Sequence, residues 1–191
     1  MSNNKHNKHS KRFAAMVLLS ASSMLVACSQ PSTSAAESQA TSVEQSPITK
    51  SATPSTLLQN VSATVYKDAN CGCCKEWIDH TEDHGMTATG QDVADLAVFK
   101  QRYGVPNNMR SCHTTVTTDG YVFEGHVPAK YVAQFLANPP SDAIGLAVPG
   151  MPMGSPGMEY QNRFDPYQVM QINKDGSSTV YAQIESPEAQ L

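Results

Sequence analysis

The chain has 191 residues, 13 basic against 17 acidic side chains, a formal net charge of −4 and 7% aromatic residues. An acidic balance lacks the basic footprint on which nucleic-acid binding rests. Nor does the chain hold a G-x-x-x-x-G-K-[ST], a G-x-G-x-x-G after a strand or a G-x-S-x-G, so nothing points to phosphate, dinucleotide or serine-hydrolase chemistry.

Lys5, Lys8, Lys11 and Arg12 precede the apolar run 13–27, "FAAMVLLSASSMLVA". That run is too short and too rich in small residues for a good membrane span, and a basic start before a short apolar run reads as a secretory signal. It ends in "LVAC", Leu25 to Cys28, which resembles the bacterial lipobox, with cleavage before a cysteine that is then lipid-modified. Several acyl chains on Cys28 suffice for stable anchoring. Ser29, not Asp, follows it, which by resemblance to enterobacterial sorting favours the periplasmic face of the outer membrane. Removing residues 1–27 takes four of the 13 basic side chains and none of the 17 acidic ones, leaving 9 basic residues and a formal charge of −8.

Residues 29–60 are rich in Ser, Thr, Ala, Gln and Pro and read as a disordered tether of roughly 30 Å root-mean-square span. The expected folded unit is 61–191, one modest domain with no internal repeat. "SATVYKD", 62–68, reads as a strand and "CKEWIDHTEDHG" as a helix with Cys74, Trp77, Ile78 and Thr81 on one face. A second strand is expected over 86–93. A helix capped by Asp92 or Asp95 then runs to Gly104. Residues 113–127 form two β-rich runs around Asp119-Gly120, a strong hairpin signal. "PAKYVAQFLANPP" reads as a helix, 145–160 as a loop dense in Gly, Pro and Met, and the C-terminus as two strands around Asp175-Gly176. The order β-α-β-α-β-β-α predicts an α/β sandwich of thioredoxin type, with the last strands as additions or a rearranged edge.

The chemistry concentrates in "DANCGCCKEW", 68–77, where Cys71, Cys73 and Cys74 open the first helix. A helix N-terminus favours thiolate over thiol. Cys71 and Cys74 have the C-x-x-C spacing of a dithiol motif, but exchange chemistry has no use for Cys73. Cys112, at the start of the central hairpin, lies beside the motif helix in such a fold. The four sulfurs therefore converge either as two bridges or as a thiolate cluster. His113 follows Cys112, and His126 ends the second hairpin strand. Met151, Met153 and Met158 sit on a loop, where a core role does not explain three methionines. Thiolate, imidazole and thioether together suit Cu(I) best and then Zn(II), and disfavour Mg and Ca. His80 and His84 have ligand spacing but lie among Asp79, Glu82 and Asp83, which reads as a solvated face. A thiol–disulfide oxidoreductase using Cys71 and Cys74 is the competing reading, and a structural lipoprotein with two plain bridges is the third.

"VYKDANCGCCKEW", "SCHTT", "GYVFEGHVP" and "GLAVPGMPMGSPGME" together resemble the CopG family of exported bacterial copper-resistance proteins, from about residue 62 to about residue 182. The resemblance implies a thioredoxin-like domain carrying a copper site. Its ligands on this chain would be Cys71, Cys73, Cys74, Cys112 and His126, with His113 and the loop methionines in reserve. It also implies association with envelope copper-efflux components and, as suggested for the family, interconversion of Cu(I) and Cu(II). The chain departs from the family's pattern at Ala69-Asn70, where a proline is common before the first cysteine. It departs from thioredoxins in having "RSCHTT" where they carry a cis-proline, Pro106 being its nearest proline on that side.

Overall fold

The structure, a computed structural model, describes residues 56–191. The expected signal, Cys28 and most of the expected tether lie outside the described residues. No helix among the described residues is long and apolar enough to cross a membrane.

Among the described residues the fold is mixed α/β, with three α-helices and a seven-stranded sheet. In chain order the elements are β1 (Ser62–Lys67), α1 (Gly72–Asp83), β2 (Thr87–Asp92), α2 (Leu96–Arg102), β3 (His113–Thr117), β4 (Val122–Glu124), α3 (Ala129–Ala137), β5 (Ala143–Ala147), β6 (Tyr167–Asn173) and β7 (Ser178–Ile184). Short 3-10 turns occupy Asn107–Met109 and Pro187–Gln190. The strands lie in the order β2-β1-β3-β4-β5-β6-β7. The two parallel pairs, β1/β2 and β4/β5, are each joined by a helical crossover, α1 and α3, as parallel neighbours require. The remaining pairs are antiparallel.

Local signals account for most element boundaries. The Asp95 side chain accepts from the backbone N–H groups of Ala97 and Val98 and caps α2. Cys74, Trp77, Ile78 and Thr81 form the buried face of α1, as the spacing predicts. The register puts Val65, Thr115, Phe123 and Leu146 in one row across the sheet. Trp77 and Ile78 of α1 pack on Val65, and Phe135 of α3 stacks edge-on against Phe123, so both crossover helices cover this face. The next row is Tyr66, Thr114, Glu124 and Ala147. It faces the other way, toward α2, whose Phe99 stacks on Tyr66 and whose Lys100 reaches Glu124.

Three expectations are corrected. Residues 145–160 are not loop throughout: Gly145, Leu146 and Ala147 belong to β5, which pairs parallel with β4. Gly and Ala have weak strand propensity, so the sequence signal is poor. Gly145 is needed because a Cβ there would run into the Val122 carbonyl of β4. Second, packing starts before residue 61. Leu58 is fully buried in the main apolar cluster, and its N–H donates to the His84 carbonyl at 2.8 Å. Third, His80 and His84 are half-buried rather than solvated. His80 Nε2 accepts from the Ala129 N–H at 3.2 Å, serving the first turn of α3, where the N-cap residue Pro128 has no side-chain acceptor to offer. Burial, and secondarily His84, holds its pKa down at about 4, which keeps it the neutral acceptor this bond requires.

Candidate metal centre

The site forms where the N-terminus of α1 meets the entry to β3 and the exit from β4. An Asx turn, with the Asn70 N–H on the Asp68 carboxylate at 2.8 Å, leads into the cysteine motif. Cys71 is the N-cap of α1 and has no side-chain capping bond. Cys73 and Cys74 therefore sit in the first turn, where the helix dipole favours negative charge.

Cys71 and Cys74 are joined by a disulfide, while Cys73 and Cys112 are free thiols. Cys73 Sγ lies 3.6 Å from Cys71 Sγ and 3.9 Å from Cys112 Sγ. Cys74 is fully buried, and its Sγ lies 3.7 Å from the Cys112 carbonyl. All four sulfurs fall within 4.8 Å of one another. A second set with the same spread joins Cys112 to His113 and His126, so Cys112 is shared by both. His126 Nε2 approaches Cys112 Sγ at 2.9 Å, and His113 Nδ1 approaches it at 3.3 Å.

Both imidazoles are completely buried by area. Burial pushes the pKa of His113 well down, helped by the neighbouring His126 and Lys100, and burial lowers that of His126 as well. Neutral imidazole is the form that ligates metals. His126 Nδ1 donates to the Pro156 carbonyl at 2.8 Å, which leaves the lone pair on Nε2, the nitrogen facing Cys112. Metal-ligating histidines are oriented in this way by a carbonyl or carboxylate behind them. His113 stacks on Trp77 at a centroid distance of 4.7 Å, and its Nε2 is buried with no hydrogen-bond partner among the described residues. Burial, and then the Cys73 thiol beside it, pushes the Cys112 thiol up to about 12. In the metal-free protein Cys112 is therefore protonated, and a metal must displace that proton on binding.

The donor set thus consists of soft sulfurs and neutral nitrogens, with no carboxylate in either cluster. Such a set fits Cu(I), then Zn(II), and offers nothing to hard oxygen-seeking ions. With the Cys71–Cys74 bridge closed, the free donors are Cys73, Cys112, His126 and His113. Opening the bridge adds two more sulfurs.

The methionine loop reaches this centre through its backbone. The Pro156 carbonyl receives His126, and Gly157 lies on the first turn of α1. A Cβ on Gly157 would stand 2.7 Å from the Cys73 carbonyl and 2.8 Å from the Trp77 nitrogen, and its φ of +82° is itself a glycine conformation. Met151 is 55% exposed, while Met153 and Met158 are half-buried. Met158 directly follows Gly157, the residue that lies against the first turn of α1. Sequence reasoning missed Pro156 and Gly157, whose contact with the site is made by main chain.

The chain has relatives of solved structure. A family model described as "Protein of unknown function, DUF411" matches residues 109–158, the segment from the entry of β3 through the methionine loop. No curated protein matches. Two solved structures, "Copper resistance protein copG- Form 2" and "Copper resistance protein copG- Form 1", are each 47% identical with a TM-score of 0.61. Each match covers 64% of this chain, and 97% and 96% of the respective relative. With identity at that level over nearly the whole of those relatives, the chain belongs to the CopG copper-resistance family.

Proposed function

We propose that the chain is a copper-binding protein of the cell envelope that holds Cu(I) as cargo in the Cys71/Cys73/Cys74/Cys112 cluster with His126 as a nitrogen ligand. The observation that carries this reading is the shared sulfur: Cys112 lies within 4.8 Å of three other cysteine sulfurs and 2.9 Å from the free nitrogen of His126. His113 is a further nitrogen ligand, and a thioether of Met151, Met153 or Met158 completes the set. The thioredoxin-like reading of the scaffold is supported by the β-α-β-α-β-β-α order and by the β2-β1-β3-β4 arrangement of its first four strands.

Interconversion of Cu(I) and Cu(II) is part of the proposal. Closing the Cys71–Cys74 bridge from two thiolates releases two electrons, which reduce two Cu(II) to two Cu(I). The reverse opens the bridge and oxidises two Cu(I). The cysteine, histidine and methionine donors supply the soft sites, and envelope copper-efflux components would deliver or receive the metal. The lipobox-like Leu25–Cys28 supports anchoring of the mature chain at Cys28 on the periplasmic face of the outer membrane. Mass analysis of the mature N-terminus, with Cys28→Ala as control, tests the anchor.

The copper reading is tested by anaerobic Cu(I) titration of the reduced protein, with zinc as competitor. Tight binding that needs Cys73 and Cys112 is the expected result. Unchanged binding after Cys73→Ser and Cys112→Ser are combined would refute it.

One observation favours a second reading. The bridged pair has a half-buried Cys71 and a fully buried Cys74, the asymmetry of a dithiol exchange site. Disulfide-reductase turnover that survives loss of Cys73 and Cys112 would establish it in place of the first.

A further inference from the structure

The side chain of Glu124 is fully buried on the α2 face of the sheet, and Lys100 is 5% exposed beside it. Burying both charges is costly, and a buried ion pair is weak evidence for stability in itself. Period-2 alternation puts Glu124 on the same face as Val122, which packs in an apolar cluster with Met109, Ala147 and Ile172. The neighbours of the carboxylate show what it does. Oε1 receives Lys100 Nζ at 2.5 Å and the Ser111 backbone N–H at 2.7 Å. Oε2 receives the Thr114 hydroxyl at 2.7 Å, and Lys100 also donates to that hydroxyl at 3.2 Å. Ser111 and Thr114 flank Cys112 and His113, and Glu124 is itself two residues before His126.

We infer that Glu124, held in place by Lys100, is a positioning residue that fixes Cys112 and His113 against His126 from the opposite face of the sheet. Backbone pairing alone does not do this. β3 begins at His113, so Ser111 and Cys112 lie before the ladder, and the Ser111 N–H depends on the Glu124 carboxylate. Without that acceptor the segment carrying Cys112 loses its tie to β4, which ends two residues before His126. The Gly125 N–H on the His113 carbonyl at 3.0 Å fixes the histidine side of the same junction but not Cys112.

This role rests on the copper reading for its metal-bound consequence, so the experiment includes a metal-free arm. In the full chain, Glu124→Leu, which leaves the Ser111 N–H without its acceptor, should lower Cu(I) affinity by about 10–100-fold, measured by competition with a chromophoric chelator, as loss of an outer partner of a ligand does. Without metal, the same variant should speed alkylation of Cys112, followed by peptide mass mapping, relative to Cys73 in the same molecule. The Lys100→Met/Glu124→Leu double variant separates positioning from support. It should regain wild-type thermal stability, because no buried charge is left, yet keep the weakened copper binding and the exposed Cys112, because the Ser111 N–H still has no acceptor. Full recovery of both, or a Glu124→Leu protein indistinguishable from wild type, would overturn the inference. If neither protein folds, Thr114→Val removes one donor at nearly constant shape. It should move both readouts in the same direction, and no movement would again overturn the role. Wild-type protein that binds no Cu(I) would instead refute the copper reading, while Cys112 alkylation would still decide the positioning.

Discussion

Two buried polar clusters lie back to back on this sheet, and they are built on opposite rules. On the α2 side, the Lys100 ammonium, the Glu124 carboxylate, the Thr114 hydroxyl and the Ser111 N–H satisfy one another. On the other side, the sulfurs of Cys73 and Cys112 meet, and His113 Nδ1 and His126 Nε2 both face Cys112 Sγ. Closed networks of the first kind add rigidity, while thiols and neutral imidazoles held this close offer the donor types that a soft metal takes. The contrast teaches that the sheet is the shared support. Its two faces carry one fixed cluster and one reactive cluster, separated by the thickness of a strand.

The largest effect belongs to the reactive side. Combining Cys73→Ser with Cys112→Ser should reduce Cu(I) affinity by more than the about 10–100-fold expected for an outer partner, while thermal unfolding of the metal-free protein shifts little. A large loss of stability would instead mark those thiols as structural.

On the satisfied side the pattern should invert. Lys100→Ala or Glu124→Ala leaves an unpaired buried charge and should cost about 3–5 kcal/mol of stability in urea unfolding. A cost near that of a surface substitution would show the pair to be solvated in solution and remove the contrast.

Gly157→Ala probes the junction between the loop and α1. The positive φ alone costs on the order of 1–3 kcal/mol, and the contact with Cys73 and Trp77 adds to it. Differential scanning calorimetry should show a lower Tm, and the Pro156–His126 bond should loosen with it, weakening copper binding. Normal binding in a destabilised protein would detach the loop from the site.

The smallest effect is a pH dependence at the α1/α3 junction. His80 has its pKa lowered from 6.5 to about 4, so between those values the unfolded chain takes up a proton that the folded one does not. Stability therefore rises with pH across this window. Its His80 contribution is fully present above 6.5 and is lost as the pH falls toward 4, at up to about 1.4 kcal/mol per unit. His113 and His126, also held neutral, act in the same direction. His80→Gln keeps an acceptor for Ala129 and should make the acid limb shallower without abolishing it. An unchanged limb would show that His80 is solvated and that the cluster histidines alone set it.

The elements legible in the sequence are those specified within a few residues. The Asp95 cap, the 74/77/78/81 face of α1, the Asp119-Gly120 hairpin and the closing pair of strands all follow from short-range preferences, and the structure contains each of them. The chemical identity of the site was legible for the same reason. Three cysteines in four positions, Cys112-His113 and Gly125-His126 declare their donor types wherever they end up. β5 was not legible, because "AIGLA" has little strand propensity and becomes a strand only by lying between β4 and β6, with Gly145 allowing the close approach to Val122.

The sequence by itself determined the elements other than β5, their order and the kinds of donor atom available. Tertiary structure decided which donors meet and what holds them. It brought Cys112 to Cys73 across 39 residues and set the Pro156 carbonyl behind His126. It also turned Lys100 and Glu124, ordinary surface residues by type, into a buried brace. The physical reason is range. Caps, turns and amphipathic faces are fixed by neighbours along the chain. Convergence and buried charge depend on strand register and on which helix covers which face, and those are settled only when the sheet is assembled.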